Sequence, residues 1–148
     1  MTSEDNLVYA GDIEPSETWA KLKSDPGSVL VDVRTSAEWN FVGVPDLSEL
    51  DQSLILLEWQ QYPEMNVNPD FVATLQTELS ARGCGKETPI YFLCRSGVRS
   101  RAAADAMMTT GFSKSYNVLR GFEGGLDDSG QRGKVEGWKE SGLPWRQK

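Results

Sequence analysis

The sequence contains no histidine. That excludes Cys–His and Ser–His catalytic pairs and imidazole metal ligands. Carboxylates, basic side chains, hydroxyls, the backbone and thiols are left to carry any chemistry. Cysteine is scarce: Cys84 and Cys94 are the only two in 148 residues. Two cysteines make no disulfide framework, and their spacing matches no zinc site. Positive charge is in deficit, with 15 Lys and Arg against 22 Asp and Glu and a net charge of −7. Such a chain is a poor general ligand for nucleic acid or an anionic membrane. No apolar run approaches the length that crosses a bilayer. The opening MTSEDNLVYAGDIEPSE is acidic and lacks the basic–apolar–small layout of a secretory signal. The expectation is a soluble, cytoplasmic protein with no nucleic-acid or membrane partner, no cofactor and no metal.

What is present is ordinary globular composition, 39% apolar and 25% charged. The length suits one domain spanning 1–148. SVLVDVR (28–34) is apolar and β-branched and predicts a buried strand. PSETWAKLKSD (15–25) predicts a short helix, with Pro15 and Ser16 as start signal and Pro26-Gly27 as stop. SLILLEW (53–59) is a second strand candidate. NPDFVATLQTELSARG (68–83) predicts a helix capped by Asn68, with Pro69 at its first helical position and Gly83 closing it. TPIYFL (88–93) and SYNVL (115–119) predict two more strands, SRAAADAMMTTG (100–111) a helix, and LVYAG an added edge strand. Residues 120–137 predict a Gly-rich loop, followed by a short helix and tail from Trp138. Apolar strands alternating with helices imply an α/β fold, a parallel sheet of about five strands with helices on both faces.

The chemistry concentrates in CRSGVRS (94–100). Cys94 ends a predicted strand, and sites in parallel sheets form beyond the carboxyl ends of the strands. Gly97 gives the backbone freedom for a sharp turn, and the Ser100 hydroxyl is placed to cap the following helix. Such a loop aims successive N–H groups inward, and the helix N-terminus adds its positive dipole end. Both favour a thiolate. Arg95, Arg99 and Arg101 add positive charge. On its own a free cysteine is more often a small buried core residue. The glycine and the arginines at a strand–helix junction favour a nucleophile instead.

CRSGVRS resembles the active-site loop of the single-domain rhodaneses, a sulfurtransferase family, with Cys94 in the place of the sulfur-carrying cysteine. VLVDVRTSAEW (29–39) resembles that family's N-terminal signature, with Asp32, Arg34 and Glu38 in place. GFSKSYNVLRGFEGG (111–125) resembles its C-terminal signature, and GLPW (142–145) its tail. Two departures lie away from the loop: VGVPDL (42–47) replaces the usual Gly-His-Ile-Pro-Gly-Ala, keeping Pro45, and an insertion fills 125–137. The resemblance implies a rhodanese-like domain in which Cys94 takes sulfane sulfur from a small donor such as thiosulfate, becomes a persulfide, and passes the sulfur to a thiol or protein acceptor. The loop residues Arg95, Ser96, Gly97, Val98, Arg99 and Ser100 would bind substrate, with N–H groups holding the outer sulfur as they would an oxyanion. A pre-formed thiolate needs no general base.

Arg34 is expected to pair with Glu38 or Asp32 and brace the sheet beside the loop. Arg95 and Arg99 either bind the anionic donor or are solvated, and Arg99 is the better placed because it closes the cradle. A phosphatase of the Cys-x5-Arg type would need its arginine where Ser100 stands, since the spacing here is Cys-x4-Arg. An inert binding module would have no use for the thiol. Cys84 lies before the strand that Cys94 ends, roughly 20 Å away at ~3.3 Å per residue. A disulfide needs Cα atoms within about 7 Å, so Cys84 is expected to be a separate surface thiol. GCGKET lacks the first glycine of a phosphate loop, and LDDSG lacks calcium-loop spacing. Trp19, Trp39, Trp59, Trp138 and Trp145 are expected to pack rather than to line a ligand box.

Overall fold

The structure is a computed structural model that describes residues 7–147, apart from positions 51, 53 and 62. In chain order it forms β1 (Gly11–Ile13), α1 (Pro15–Ser24), β2 (Val29–Asp32), α2 (Ser36–Phe41) and β3 (Val44–Pro45). A 3-10 turn (Ser48–Leu50) leads to β4 (Ile55–Leu56), β5 (Gln60–Gln61), β6 (Asn66–Val67) and α3 (Phe71–Ala81). The chain closes with β7 (Ile90–Leu93), α4 (Val98–Thr109), β8 (Ser115–Val118) and β9 (Trp145–Arg146).

Five strands make one sheet in the order β1-β8-β7-β2-β4, and every pairing in it is parallel. The expected parallel α/β sheet is therefore present. Side chains alternate across a strand, and the two cores follow from that alternation. Val29, Val31 and Val33 of the β2 segment, with Ile90, Phe92 and Cys94 of the β7 segment, face α3 and α4 through Leu75, Leu79, Ala103 and Met107. Leu30, Tyr91, Leu93 and Val118 point the other way and pack with Leu22, Phe122 and Trp138. Both faces are covered, which explains why the central strands are apolar without a polar side. The described part of the 53–59 strand is short, but Leu57 and Trp59 extend its ladder by donating to the Asp32 and Val33 carbonyls (both 3.1 Å). Among the described residues, no helix is long and apolar enough to cross a membrane.

Four local expectations need correction. Helix α3 starts at Phe71, because Asn68 organises a turn ahead of it: its side chain accepts from Asp70 N–H (3.0 Å) and its carbonyl from Phe71 N–H (3.2 Å). Among the described residues the tail forms no helix. Trp138 is buried and donates from Nε1 to the Pro144 carbonyl (2.8 Å), so the chain returns as β9, antiparallel to β3. Helix α2 is additional, nucleated by a capping box in which Thr35 and Glu38 exchange side-chain and backbone bonds. Cys84 is half-buried against the α3 side of the core, and both cysteines are free.

Because the sheet is parallel, β2, β7 and β8 all deliver their carboxyl ends to one edge. The segments that follow them meet there, and the thiol loop is the middle one.

Candidate active site

Cys94 follows β7 directly, and the chain then turns through Arg95, Ser96 and Gly97 into α4. Gly97 makes the turn possible: its φ is +114° and it stands at the N-terminal boundary of α4. That left-handed conformation favours glycine. It directs the Gly97 N–H onto Cys94 Sγ at 3.0 Å. The helix begins at Val98, two residues earlier than expected, so Ser100 is inside its first turn and does not cap it. The Ser100 hydroxyl instead donates to Asn117 Oδ1 and lies 3.2 Å from Cys94 Sγ. The N–H groups of the first turn have no carbonyl one turn back, which leaves the helix start with unspent donors beside the sulfur.

The turn after β8 supports the loop from behind. Phe122 N–H donates to the Cys94 carbonyl (2.7 Å), and Glu123 and Gly124 N–H donate to the Arg95 carbonyl (3.0 and 3.1 Å). Gly121, at φ +62°, lies so close that a Cβ there would overlap the Cys94 carbonyl oxygen. The inserted segment packs on this turn: Gly133 donates to the Glu123 carbonyl (2.7 Å), Glu136 accepts from Gly125 N–H, and Trp138 N–H reaches the Gly121 carbonyl.

Cys94 is 1% exposed, yet it forms part of the wall of an open cavity of about 360 Å3. Arg95, Ser96, Val98 and Arg99 of the loop line it, with Glu38 and Met65 opposite. Of the expected loop residues, Gly97 and Ser100 bond the sulfur directly, whereas Arg95, Ser96, Val98 and Arg99 line the space in front of it. Arg99 is engaged in a two-pronged bond to Glu38 (2.7 and 3.0 Å). Burial by itself would raise the Glu38 carboxyl, but the Arg99 bonds, helped by Thr35 N–H and Arg34, hold it down at about 2. Arg95 is exposed and makes no ion pair among the described residues.

Of the two partners foreseen for Arg34, Asp32 is the one it takes. Neither side chain is exposed. Arg34 Nε and Nη2 meet the carboxylate at 3.0 and 2.7 Å, Nη2 also donates to the Gly43 carbonyl, and the guanidinium lies 4.2 Å above the Phe122 ring. This pair ties the end of β2 to the turn behind the thiol loop. Among the described residues, no group of His, Cys, Asp or Glu is placed to hold a metal ion.

Comparison with known proteins agrees with this geometry. The STR4 middle domain family matches residues 11–148, and rhodanese-like domain proteins share the fold. This chain belongs to the STR4 middle domain family and has the rhodanese-like fold. The crystal structure of Rv0390 from M. tuberculosis superposes with a TM-score of 0.84 at 48% identity, over 95% of this chain and all of that one. An uncharacterized protein of Rickettsia conorii is 35% identical over 88% of this chain and 93% of its own length. More distantly, the thiosulfate sulfurtransferase GlpE of Actinobacillus pleuropneumoniae is 23% identical over 90% of each chain. The rhodanese-like domain of an Anabaena protein shares the fold alone, with a TM-score of 0.55 at 14% identity over 93% of this chain and 79% of that one.

Sequence reasoning about this STR4 middle domain missed Asn117 and Asp12. Asn117 was legible as a polar residue inside the apolar strand SYNVL. It is 1% exposed, and a buried amide needs partners. Asp12 left no comparable signal, because a surface aspartate on an edge strand is ordinary.

Proposed function

We propose that this protein is a sulfurtransferase working through a persulfide on Cys94. The observation that carries the reading is the sulfur itself: it sits at the wall of an open cavity, takes the Gly97 N–H at 3.0 Å, and lies next to the first turn of α4. The Cys94 thiolate attacks the outer sulfur of thiosulfate. The sulfur–sulfur bond of the donor breaks and sulfite leaves with the electron pair. The outer sulfur of the resulting persulfide occupies the cavity, where the N–H groups of residues 95–100 stabilise its negative charge. A thiophilic acceptor, a small thiol or a protein thiolate, then attacks that sulfur, and Sγ departs as thiolate.

Arg95 is the charge available to an anionic donor, since Arg99 is already held by Glu38. Arg99 serves as a fixed positive wall, and Ser96 and Val98 shape the entrance. Asp32, Arg34 and Glu38 hold the frame. The absence of histidine fits, because a thiolate attacks without a general base. A cradle of Cys-x4-Arg spacing suits a sulfur atom better than a phosphate ester.

The test is sulfur transfer from thiosulfate to cyanide by wild type beside Cys94→Ser, with intact mass recorded on the same samples. Wild type should turn over and carry one added sulfur, and the variant should do neither. A wild type that gains no sulfur would leave the loop as part of a binding module. Hydrolysis of an aryl phosphate that depends on Cys94 would favour a phosphatase.

A further inference from the structure

Behind the sulfur, away from the cavity, a chain of hydrogen bonds runs from Cys94 to the protein surface. Cys94 Sγ lies 3.2 Å from Ser100 Oγ, and Ser100 Oγ bonds to Asn117 Oδ1. Asn117 Nδ2 then donates to Asp12 Oδ1 at 2.9 Å. The Tyr9 hydroxyl donates to the same carboxylate oxygen at 2.7 Å. Ser100 and Asn117 are buried, whereas Asp12 is exposed on the edge strand β1. Burial first, then the Asp12 carboxylate, push the Tyr9 hydroxyl up to about 12, so it stays a donor.

The direction of every proton in this chain is determined by its outer end. A carboxylate only accepts, so Asp12 requires the NH2 group of Asn117 to face it. The Asn117 oxygen must then face Ser100, and an amide oxygen also only accepts. A serine hydroxyl has one proton, and Asn117 claims it. What Ser100 presents to Cys94 is therefore a lone pair. A thiol can donate to that lone pair, whereas a thiolate gains nothing from it. The sulfur thus sits between opposed influences: the Gly97 N–H favours the anion, and the Ser100 oxygen favours the protonated form.

We propose that Asn117, oriented by Asp12, is a positioning residue that withholds the Ser100 proton from Cys94 and so restrains ionisation of the reacting thiol. This rests on Cys94 being the reacting atom, as in the function proposed above. The restraint has a use. A thiol that is not fully ionised resists indiscriminate alkylation and oxidation, and once ionised it is intrinsically the stronger nucleophile.

The test is carboxamidomethylation of Cys94 by iodoacetamide, in which the thiolate displaces iodide, followed by peptide mass so that Cys84 is counted separately. Rates are taken at pH 6 and pH 9 for wild type, Asp12→Ala, Asn117→Ala, Ser100→Ala and the Asp12→Ala/Ser100→Ala double variant. Asp12→Ala frees the Asn117 amide to turn and the Ser100 proton to reach sulfur. It should speed alkylation at pH 6 about tenfold to a hundredfold, the worth of one hydrogen bond to a charged acceptor, and leave pH 9 unchanged. Asn117→Ala should do the same. Because Asp12 is exposed, its variant decides the question even if Asn117→Ala fails to fold.

Removing the Asp12 charge could itself favour a thiolate, and the double variant separates the two causes. The hydrogen-bond route needs Ser100, so the acceleration should vanish in the Ser100→Ala background. A charge effect would persist there. The other charged groups around the sulfur are Arg95 and Arg99 of the loop and α4, Glu38 of α2, Asp32 and Arg34 at the end of β2, Arg101 beside Tyr9 and Arg120 after β8. All are unchanged in every variant, so they cancel. Equal rates for Asp12→Ala and wild type at pH 6, or an acceleration that survives in the double variant, would overturn the proposal. The assay uses no sulfur donor. Failure of sulfur transfer with the acceleration intact would count against the sulfurtransferase function alone.

Discussion

Arg34–Asp32 and Arg99–Glu38 are both two-pronged arginine–carboxylate pairs at the carboxyl edge of the sheet, a few residues from the same sulfur. The first is sealed, with both side chains at 0% exposure. The second lines the cavity, with 13% of Arg99 and 17% of Glu38 exposed. The sealed pair commits Nε and Nη2 to the carboxylate and the Gly43 carbonyl and lays the guanidinium over Phe122. The rim pair holds one cation in place where an anion would arrive. The same chemistry thus serves two purposes, and depth decides which. Losing half of a buried pair strands a charge in low dielectric, whereas losing half of a rim pair lets water in.

The comparison breaks most visibly at the sealed pair. Arg34→Leu leaves the Asp32 carboxylate buried without its partner and should cost about 3–5 kcal/mol, read as a fall in the urea midpoint with little change in slope. A loss under about 1 kcal/mol would mean that water reaches Asp32 and that the two pairs are not different in kind. Next in size is Gly121→Ala. It meets both a left-handed backbone at φ +62° and the Cys94 carbonyl, and should cost about 2–3 kcal/mol. It should also slow sulfur transfer, because the strained turn carries the loop.

The difference between the pairs marks where the sequence could be read. Strands β2, β7 and β8 were legible because both their faces are buried, so an unbroken apolar run has one explanation. The loop was legible because Cys94, Gly97 and the arginines are adjacent in the chain. The partner of Arg34 stayed open between Asp32 and Glu38, since both are near in sequence and only the packing of Phe122 and the Arg99–Glu38 bond separates them. The role of Ser100 was misjudged because its bonds go to Asn117, seventeen residues on. Helix α2 and strand β9 were missed for a related reason. One is six residues long and rests on a capping box, and the other exists only because β3 is beside it.

Glu38→Gln tests the rim pair directly. The Glu38 carboxyl is held at about 2 in the fold, below the ordinary ~4.3 of an unfolded glutamate. A depressed acid contributes stability that is complete above the unfolded value and lost as pH falls from about 4.3 through about 2. Glu38→Gln should therefore be less stable than wild type by about 2 kcal/mol at pH 7, after allowance for solvent screening of a partly exposed pair. The two proteins should converge near pH 2. A constant gap across that range would show that the loss comes from packing and not from the carboxylate.

The smallest effect on stability should come from Arg95, and it should carry a kinetic effect that the others lack. Arg95 is exposed and unpaired among the described residues, so Arg95→Ala should change the unfolding free energy by no more than about 0.5 kcal/mol. In the proposed function its charge is the one left for the donor. The KM for thiosulfate should rise about tenfold, near the worth of a charge-assisted hydrogen bond, while the second-step rate with a neutral acceptor should hold. Salt should narrow the gap between variant and wild type, since screening weakens a solvent-exposed attraction. If Arg95→Ala kept its KM and a variant of the Arg99–Glu38 pair raised it, the rim pair would be the anion's seat, and the division of labour between the arginines would have to be redrawn.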